Sequence, residues 1–379
     1  MSDLDDLLEQ EFPVERNFRY LNHAAVAPWP LRTGNAVRAF AAQNVDMGAR
    51  DYNDWVETEQ GLRRRLAALV HAPSPDDIAL TKNTSEALSM VAHGFPWNDG
   101  DNVVIAAEEF PSNRIVWESL AGRGVTTRPV TLTGVDDPET ALLAAIDGRT
   151  RILAVSSVQY GLGLRVKLKK LGAACRARGV AFCVDAIQGL GVFDHNVQAA
   201  NIDFLMADAH KWLLGPEGIA VFYCSAAWRE KLTLHEYGWH MVEDLYDFER
   251  RAWRPARSAR RFECGSPNML GIHALSASLS LFEEIGLPVI EKRVLARAEY
   301  LFEIIKQYPD LELLSDPRPG RYAGIVTFRH RRHAVDKLYD ALRGQNVVCV
   351  PRGGGIRFSP HCYTRIETLQ EALEIANLS

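Results

Sequence analysis

Short apolar runs alternate with helical patterns between about residues 78 and 225. The runs are bounded by turn residues and predict buried strands, while the stretches between them have the apolar spacing of helices. This alternation indicates βα units, and therefore an α/β fold whose mainly parallel sheet is covered by helices on both faces. The predicted strands are 78–81, 102–107, 125–131, 151–156, 180–185, 204–207 and 218–224, and the predicted helices are 85–95, 112–123, 138–146 and 167–178.

The pattern changes after about residue 265. Two long helical stretches come first and are followed by alternating strands and helices, namely 270–284, 288–308, 324–329, 334–343, 347–350, 356–359 and a terminal helix. This order predicts a smaller α+β domain. We therefore expect an N-terminal arm (1–20) that packs with the small domain, a large domain (21–262) and a small C-terminal domain (263–379).

One strand of the large domain is expected to differ in direction from its neighbours. The run 218–224 follows 204–207 so closely that no helical crossover fits between them. Parallel neighbours need such a crossover, so we expect this last strand to run antiparallel.

Composition narrows the functional class. The chain has 379 residues, a net charge of −5 and 47% hydrophobic residues, which suffices for a large core and two or three domains. The mild negative charge gives no general attraction to nucleic acid or anionic membranes. No apolar run reaches the roughly 18 residues of a membrane-spanning helix. We therefore expect neither nucleic acid nor a membrane as a partner.

The cysteines and the first residues indicate a reducing compartment. Six cysteines are scattered without a Cys-x-x-Cys pair, which argues against a disulfide scaffold or a zinc site. The acidic start of the chain lacks the basic flank and apolar stretch of a signal peptide. His235 and His240 have no third metal ligand close in sequence, so we expect no metal. A cytoplasmic protein fits these features best.

Lys211 is the first candidate for chemistry. It follows a predicted strand and stands beside His210, ahead of a Gly-Pro break. A lysine in a cleft loses hydration at a cost of several kcal/mol unless its proton leaves or its amine bonds covalently, so Lys211 is a candidate Schiff-base nucleophile. On this segment alone, a lysine whose ammonium extends to solvent is the favoured interpretation.

Two further motifs stand at strand ends or helix starts. Asp185 ends the apolar strand 180–185, where a carboxylate needs a cation such as a protonated pyridine nitrogen, or serves simply as a turn residue. Thr84 and Ser85 open a predicted helix, whose free N–H groups suit a phosphate, although plain helix capping is favoured for this motif alone.

Phe110 and Arg357 also have two interpretations each. Phe110 follows the strand 102–107 and either stacks on a flat ring or packs in the core. Arg357 lies in a late strand, where its guanidinium suits a substrate carboxylate or is merely exposed. Each plain interpretation is reasonable alone. The joint occurrence of all these motifs, in this order on this fold, favours a shared site.

With these motifs in place, the sequence resembles the class V branch of fold-type-I pyridoxal-phosphate (PLP) enzymes. That branch includes class V aminotransferases, cysteine desulfurases, kynureninase, C–S lyases and isopenicillin-N-epimerase-like proteins. The resemblance extends from Tyr20 to Tyr363, and its most specific segments are 184–188, 209–216 and 261–268. It implies a large domain with a seven-stranded, mainly parallel sheet, a small α+β domain, PLP as the cofactor and a small α-amino acid as the substrate.

The resemblance also implies a role for each site residue. Lys211 holds PLP as a Schiff base and moves the substrate α-proton, Asp185 keeps the pyridinium protonated, and His210 completes the catalytic group. The other cofactor contacts are Gln188 and Ser157 near the ring hydroxyl, Phe110 on the ring face, and Thr84, Ser85 and His210 at the phosphate, with Asp208 beside it. Ser266 reaches the phosphate of the neighbouring subunit, which implies a homodimer with shared active sites. Arg357 binds the substrate carboxylate beside Asn22, His23 and Ala24.

Several departures from the family pattern shape the expected activity. Desulfurases carry a nucleophilic cysteine shortly before the carboxylate-binding arginine, whereas the segment 351–357 is short and has none. Phe110 replaces a stacking histidine and cannot transfer protons. Asp208 replaces a serine that faces the phosphate, and a carboxylate there is repelled, so we expect Asp208 to point elsewhere or to pair with an arginine. Ser157 replaces an asparagine, for which Gln159 or Gln188 compensates.

These observations favour transamination as the activity. Elimination or C–S cleavage and epimerisation are the alternatives at the same site, and a persulfide-forming desulfurase is disfavoured. A non-catalytic PLP-fold protein is an alternative of another class, but it would not require Lys211, Asp185, His210 and Arg357 together. The arginine-rich stretch 250–261 is expected to form salt bridges at an interface rather than to select an anionic substrate.

Overall fold

A seven-stranded sheet lies at the centre of the protein. The structure is a computed structural model and describes residues 3–378, so residues 1, 2 and 379 of the predicted arm and small domain lie outside the described residues. This sheet and two smaller ones are formed by the following strands of the described chain: β1 (Arg19–Tyr20), β2 (Ile78–Thr81), β3 (Asn102–Ala106), β4 (Thr126–Val130), β5 (Thr150–Ser156), β6 (Ala181–Asp185), β7 (Phe204–Asp208), β8 (Ala220–Cys224), β9 (Leu311–Leu313), β10 (Val326–His330), β11 (Val347–Val348), β12 (Val350–Arg352) and β13 (Gly355–Phe358).

Helices pack against the sheets of the molecule. They are α1 (Asp3–Glu11), α2 (Leu31–Met47), α3 (Tyr52–Leu69), α4 (Thr84–Gly94), α5 (Ser112–Glu118), α6 (Pro138–Ala144), α7 (Leu168–Arg178), α8 (Ala226–Arg229), α9 (Met269–Ile285), α10 (Leu287–Gln307), α11 (Val335–Gly344) and α12 (Ile366–Leu378). Within residues 3–378, no helix combines the length and the apolar character that a membrane crossing requires.

The large sheet has the predicted α/β architecture. Its strand order is β2-β8-β7-β6-β5-β3-β4, and β3 to β7 run parallel to their neighbours among themselves. β8 is antiparallel to both β7 and β2, which confirms the direction predicted for 218–224. The parallel strands β3, β5, β6 and β7 are mostly apolar and buried because helices cover both of their faces, whereas the edge strand β4 is partly exposed. Their carboxyl ends therefore open at one edge of the sheet, where ligands bind in such folds.

A second, four-stranded antiparallel sheet has the order β12-β13-β10-β9. The predicted strand 347–350 is in fact two short strands, and β1 and β9 were missed because two or three residues give no periodicity. β1 pairs in parallel with β11, so the N-terminal segment joins this part of the structure. Phe12 likewise stacks on Tyr363 with ring centroids 3.7 Å apart.

Helix α9 was predicted to belong to the small domain but packs against α2 and α3. Leu275 and Leu279 of α9 share one apolar core with residues of the large sheet such as Leu205. The apolar face of a helix shows that it is buried, but not against which partner. The boundary at residue 262 stays a prediction, with the core of the larger part continuing beyond it.

A pair of helical glycines tests the tightness of this core. A Cβ atom at Gly172 in α7 would overlap the carbonyl oxygen of Ala200, whereas one at Gly34 in α2 would lie 3.6 Å from an arginine nitrogen. We expect Gly172→Ala to lower the free energy of unfolding by about 1–3 kcal/mol through overpacking. Gly34→Ala should raise it by about 0.5–1 kcal/mol through helix propensity. Urea unfolding measures both, and equal stabilisation by the two variants would contradict the packing at Gly172.

Candidate active site

Lys211 and Asp185 are buried together at the carboxyl edge of the sheet. Asp185 is the last residue of β6, and Lys211 follows β7 by three residues, with 2% and 8% of their surfaces exposed. Burial lowers the pKa of the Lys211 ammonium, and the negative charge of Asp185 partly opposes this. Burial also raises the pKa of Asp185, against the hydrogen bond that the amide of Ile187 donates to it at 3.0 Å. The amine is therefore biased towards its neutral, nucleophilic form.

Phe110 lies next to this amine. The Nζ atom of Lys211 is 5.5 Å from the centroid of the Phe110 ring, and the ring is 40% exposed. This exposure excludes the alternative of a core phenylalanine. A ring that is open on one side and close to Lys211 can cover a flat cofactor.

Arg357 enters the site from β13 of the small sheet. Its side chain is buried, which excludes the alternative of an exposed strand arginine. Nη1 donates to the carbonyl oxygen of Tyr160 at 2.8 Å, while Nε is buried without a partner. Burial and then the charge of Arg352 lower the pKa of Arg357 to about 10, so the guanidinium remains charged at neutral pH. A charged group with an unused donor is suited to bind a carboxylate.

The start of α4 lies beside the end of β7. Asn83 caps this helix by accepting a hydrogen bond from the amide of Glu86 at 2.9 Å. Thr84 is buried, and its hydroxyl accepts from the amide of Asp208 at 3.0 Å. Ser85 is exposed and donates to the hydroxyl of Ser112 at 2.8 Å. The geometry thus brings the predicted phosphate residues to the Lys211 edge, and their phosphate role stays a prediction.

Asp208 differs from the expectation that it points elsewhere or pairs with an arginine. It is buried in the site, and its Oδ1 lies 3.1 Å from Nδ1 of the half-buried His210. The two residues are separated by one position at the end of an extended strand, where side chains two apart lie on one face. Asp208 therefore pairs with a histidine. Neither of these two atoms has a well-aligned hydrogen bond within the described chain.

Two residues expected at the ring hydroxyl are bonded within the protein. The Ser157 hydroxyl lies 3.0 Å from Nε2 of His195, and the Gln188 amide donates to Ala24 and accepts from Trp212, each at 2.9 Å. His195 and Trp212 were missed by the sequence analysis, although Trp212 directly follows Lys211. His195 contacts Ser157, and Trp212 contacts Gln188, across long distances in the sequence. A single sequence does not show such contacts.

The segment 22–24 lies beside the end of β13. His23 is buried, with Nδ1 2.8 Å from the Ser359 carbonyl oxygen and Nε2 2.6 Å from the Tyr363 hydroxyl. Both ring nitrogens are thus engaged, and burial lowers the pKa of His23 to about 4. Asn22 instead has a buried Oδ1 without a partner in residues 3–378. The contact of Asn22, His23 and Ala24 with substrate stays a prediction, to which Asn22 alone brings a free polar atom.

Ser266 stands apart from these residues. Its side chain is exposed, shortly before α9 begins. The contact with the phosphate of a partner subunit stays a prediction.

His240 lies near two carboxylates that are distant from it in sequence, while the expected absence of a metal stays a prediction. Folding brings it within 4.8 Å of Glu59 and Glu263, a grouping that sequence spacing did not indicate. Arg63 donates hydrogen bonds to both carboxylates and already supplies a positive charge there. Near the surface, Arg250 pairs with Asp244 of the same chain, and the expected position of the arginine-rich stretch at an interface stays a prediction.

The site fits PLP. The buried Asp185 carboxylate has one backbone donor and needs a cation, which a protonated pyridine nitrogen supplies. The unpartnered buried atoms include Oδ1 of Asp208, Nδ1 of His210 and Nε of Arg357. Buried polar atoms are costly unless they bond to something, so this set indicates a polar ligand.

Comparison with known proteins also indicates a PLP enzyme. The model of the family described as "Aminotransferase class-V" matches residues 19–367. The chain belongs to this family. Its cofactor is pyridoxal 5′-phosphate. A structure of a lysine variant of C-DES, with glycine covalently linked to the PLP cofactor, has a TM-score of 0.90 and 21% identity over 97% of this chain and 98% of that one. At this identity the likeness concerns the fold, and it supports the predicted fold type.

The relatives of this class V enzyme correct the expected activity. A probable cysteine desulfurase of Methanothermobacter thermautotrophicus is 30% identical over 96% of this chain and 95% of its own length. A cysteine desulfurase of Yersinia pestis is 32% identical over 80% of this chain and 73% of its own length. The preference for transamination over a desulfurase is therefore wrong. The absence of a cysteine from segment 351–357 and the presence of Phe110 are local differences. They do not outweigh the similarity to these relatives over most of the chain.

The pKa of Asp185 predicts a pH effect in the cofactor-free protein. Burial raises this pKa from 3.8 to about 7, so the folded protein binds more protons than the unfolded chain between these values. The stability that protonated Asp185 contributes is thus fully present at low pH and is lost as the pH rises towards 7. Asp185→Asn removes this loss. The thermal midpoint of the variant minus that of the wild type should increase from pH 5 to pH 7, and a constant difference would refute the shift.

Proposed function

We propose that this class V enzyme removes sulfur from L-cysteine and leaves L-alanine. The amino-acid part of the proposal is carried by one observation, the buried Arg357 guanidinium that enters the same site as Lys211. The cysteine part is supported by the relatives named cysteine desulfurases. A substrate with an α-carboxylate and an α-amino group matches a site that has a fixed cation and a reactive amine.

Four side chains of the site have defined tasks in this proposed reaction. When bound, PLP supplies the electron sink that stabilises negative charge on the α-carbon. Arg357 binds the carboxylate and fixes the α-carbon relative to Lys211. Lys211 moves the α-proton at Nζ, since desolvation lowers its pKa to about 8 and gives a base that is active near neutral pH. Asp185 supplies the negative charge opposite the ring nitrogen, and Phe110 covers the ring and excludes water.

The assembly and location are also part of the proposal. We propose a homodimer in the cytoplasm, in which the exposed Ser266 reaches the phosphate bound by the partner subunit. The division into an arm, a large domain and a small domain would place Arg357 and Lys211 on different domains. A site between two domains is a common location for small-molecule binding.

Replacing Lys211 tests the reaction. Lys211→Ala should reduce alanine formation from L-cysteine by about 10²–10⁴-fold, because the α-proton then has no positioned base. The visible absorbance of the covalently bound cofactor should disappear as well. Lys337→Ala, an exposed lysine on α11, serves as the control and should behave as wild type. Alanine formation that continues at the wild-type rate in Lys211→Ala would exclude the proposed role.

Replacing Arg357 tests substrate binding. Arg357→Gln removes a charge-assisted hydrogen bond of about 1.5–3 kcal/mol, so KM for L-cysteine should rise about 10–150-fold. The dissociation constant for PLP should stay unchanged. Arg352→Gln is the matched control, because Arg352 is an exposed residue of β12, the strand that pairs with β13. This change should leave KM nearly unchanged. A parallel loss of cofactor and substrate affinity in Arg357→Gln would place this residue at the cofactor instead.

A further inference from the structure

A second cavity lies beside the active site. It has a volume of about 740 Å³ and is located past the carboxyl ends of β3, β4 and β5, where its wall includes Glu108, Leu132 and Gln159. Tyr160 connects the cavity to the active site. Its ring packs edge-on against Phe110 at 5.2 Å between centroids, and its carbonyl oxygen accepts the hydrogen bond from Arg357.

The hairpin between β12 and β13 leaves this cavity open. The two strands are joined by Gly353 and Gly354, whose φ angles of 60° and 80° are those of a tight turn that favours glycine. Gly353 lines the cavity directly, and a Cβ atom there would lie 2.8 Å from Leu162. This is the segment in which desulfurases of the resembled family carry their nucleophilic cysteine. Here a turn of two glycines stands in its place, and residues 351–357 include no cysteine.

The cysteines of the chain are poorly suited to accept sulfur. All six lie in the described part, and five are buried. The two nearest in sequence to Arg357 are Cys362 and Cys349, both buried, and burial raises the pKa of each thiol to about 12. Cys264 is partly exposed, but burial and then the neighbouring carboxylate of Glu236 raise the pKa of its thiol as well. A thiol must be ionised to act as a nucleophile, so the acceptor has to come from elsewhere.

We propose that the cavity binds a small external thiol that takes the sulfur atom of cysteine directly. This inference depends on the proposed desulfurase function and names its second substrate. The C–S bond of cysteine breaks, and an S–S bond forms between the released sulfur and the sulfur of the acceptor. The acceptor proton is balanced by the new C–H bond of alanine. L-cysteine and the thiol thus give L-alanine and a persulfide, and no external oxidant or reductant is needed.

The charges of the cavity favour a thiol that carries an ammonium group. The residues that line the cavity include Asp136, Asp316 and Glu108 but only one cation, Arg318, which pairs with both aspartates, so the lining carries more negative than positive charge. Burial raises the pKa of another acidic wall residue, Glu109, whose carboxyl group already accepts hydrogen bonds from Ser156, Gln159 and Asn113. Gln159 adds a buried Oε1 atom that has no donor within residues 3–378. An N–H donor with a positive charge satisfies both features.

Three two-carbon thiols of different charge test the proposal on the PLP-loaded enzyme. Cysteamine is cationic, 2-mercaptoethanol is neutral and mercaptoacetate is anionic. Alanine formation at saturating L-cysteine should saturate with each thiol, and KM should be lowest for cysteamine. Asp136→Lys reverses one exposed wall charge, so KM for cysteamine should rise about five- to tenfold while KM for L-cysteine stays constant. Asp340→Lys, an exposed aspartate on α11, is the control and should change neither value.

Mass spectrometry supplies a second measurement. Enzyme treated with L-cysteine alone should carry no added sulfur on any of its six cysteines, and a persulfide on one of them would overturn the proposal. Equal KM values for the three thiols, unchanged by Asp136→Lys, would also overturn it. Formation of pyruvate in place of alanine would instead reject the desulfurase function itself. The two failures are thereby distinguished.

Discussion

Desolvation of Lys211 is the physical constraint on which the active site depends. An ammonium buried beside apolar strands is costly, and the cost falls when the amine is neutral or covalently bound. Asp185 is buried in the same region, so each group perturbs the charge of the other. A cofactor that bonds to the amine and presents a cation to the carboxylate removes both costs. The apparently unfavourable burial is therefore the basis of cofactor binding.

The sheet edge makes this arrangement attainable. β6 and β7 are adjacent and parallel, so their carboxyl ends deliver Asp185 and the 208–211 segment to one place. Arg357 arrives from a separate sheet and is held by a hydrogen bond to Tyr160. The proposed substrate site thus lies between an amine fixed by one sheet and a guanidinium fixed by the other. The same geometry leaves a cavity beside Tyr160, which is the proposed site of the second substrate.

Much of the fold was predictable because the buried parallel strands are continuous apolar runs. The strand predicted at 204–207 is found at Phe204–Asp208, and the helix predicted at 167–178 is found at Leu168–Arg178. Strands of two or three residues, such as β1 and β9, were missed because their pairing partners lie far away in sequence. The placement of α9 against α2 and α3 also depends on shape, which the hydrophobic pattern does not contain.

For the site, the sequence by itself determined the residue types at strand ends and helix starts, and their order identified Lys211, Asp185 and Arg357 together. These positions are local consequences of where apolar runs stop. Only the tertiary structure decided that Asp208 pairs with His210, that Gln188 is bonded to Trp212 and Ala24, and that Tyr160 contacts both Phe110 and Arg357. The reason is that side-chain partners are chosen by distance and desolvation after folding. The sequence contains the partner residues, but it does not give the distances between them in the folded protein.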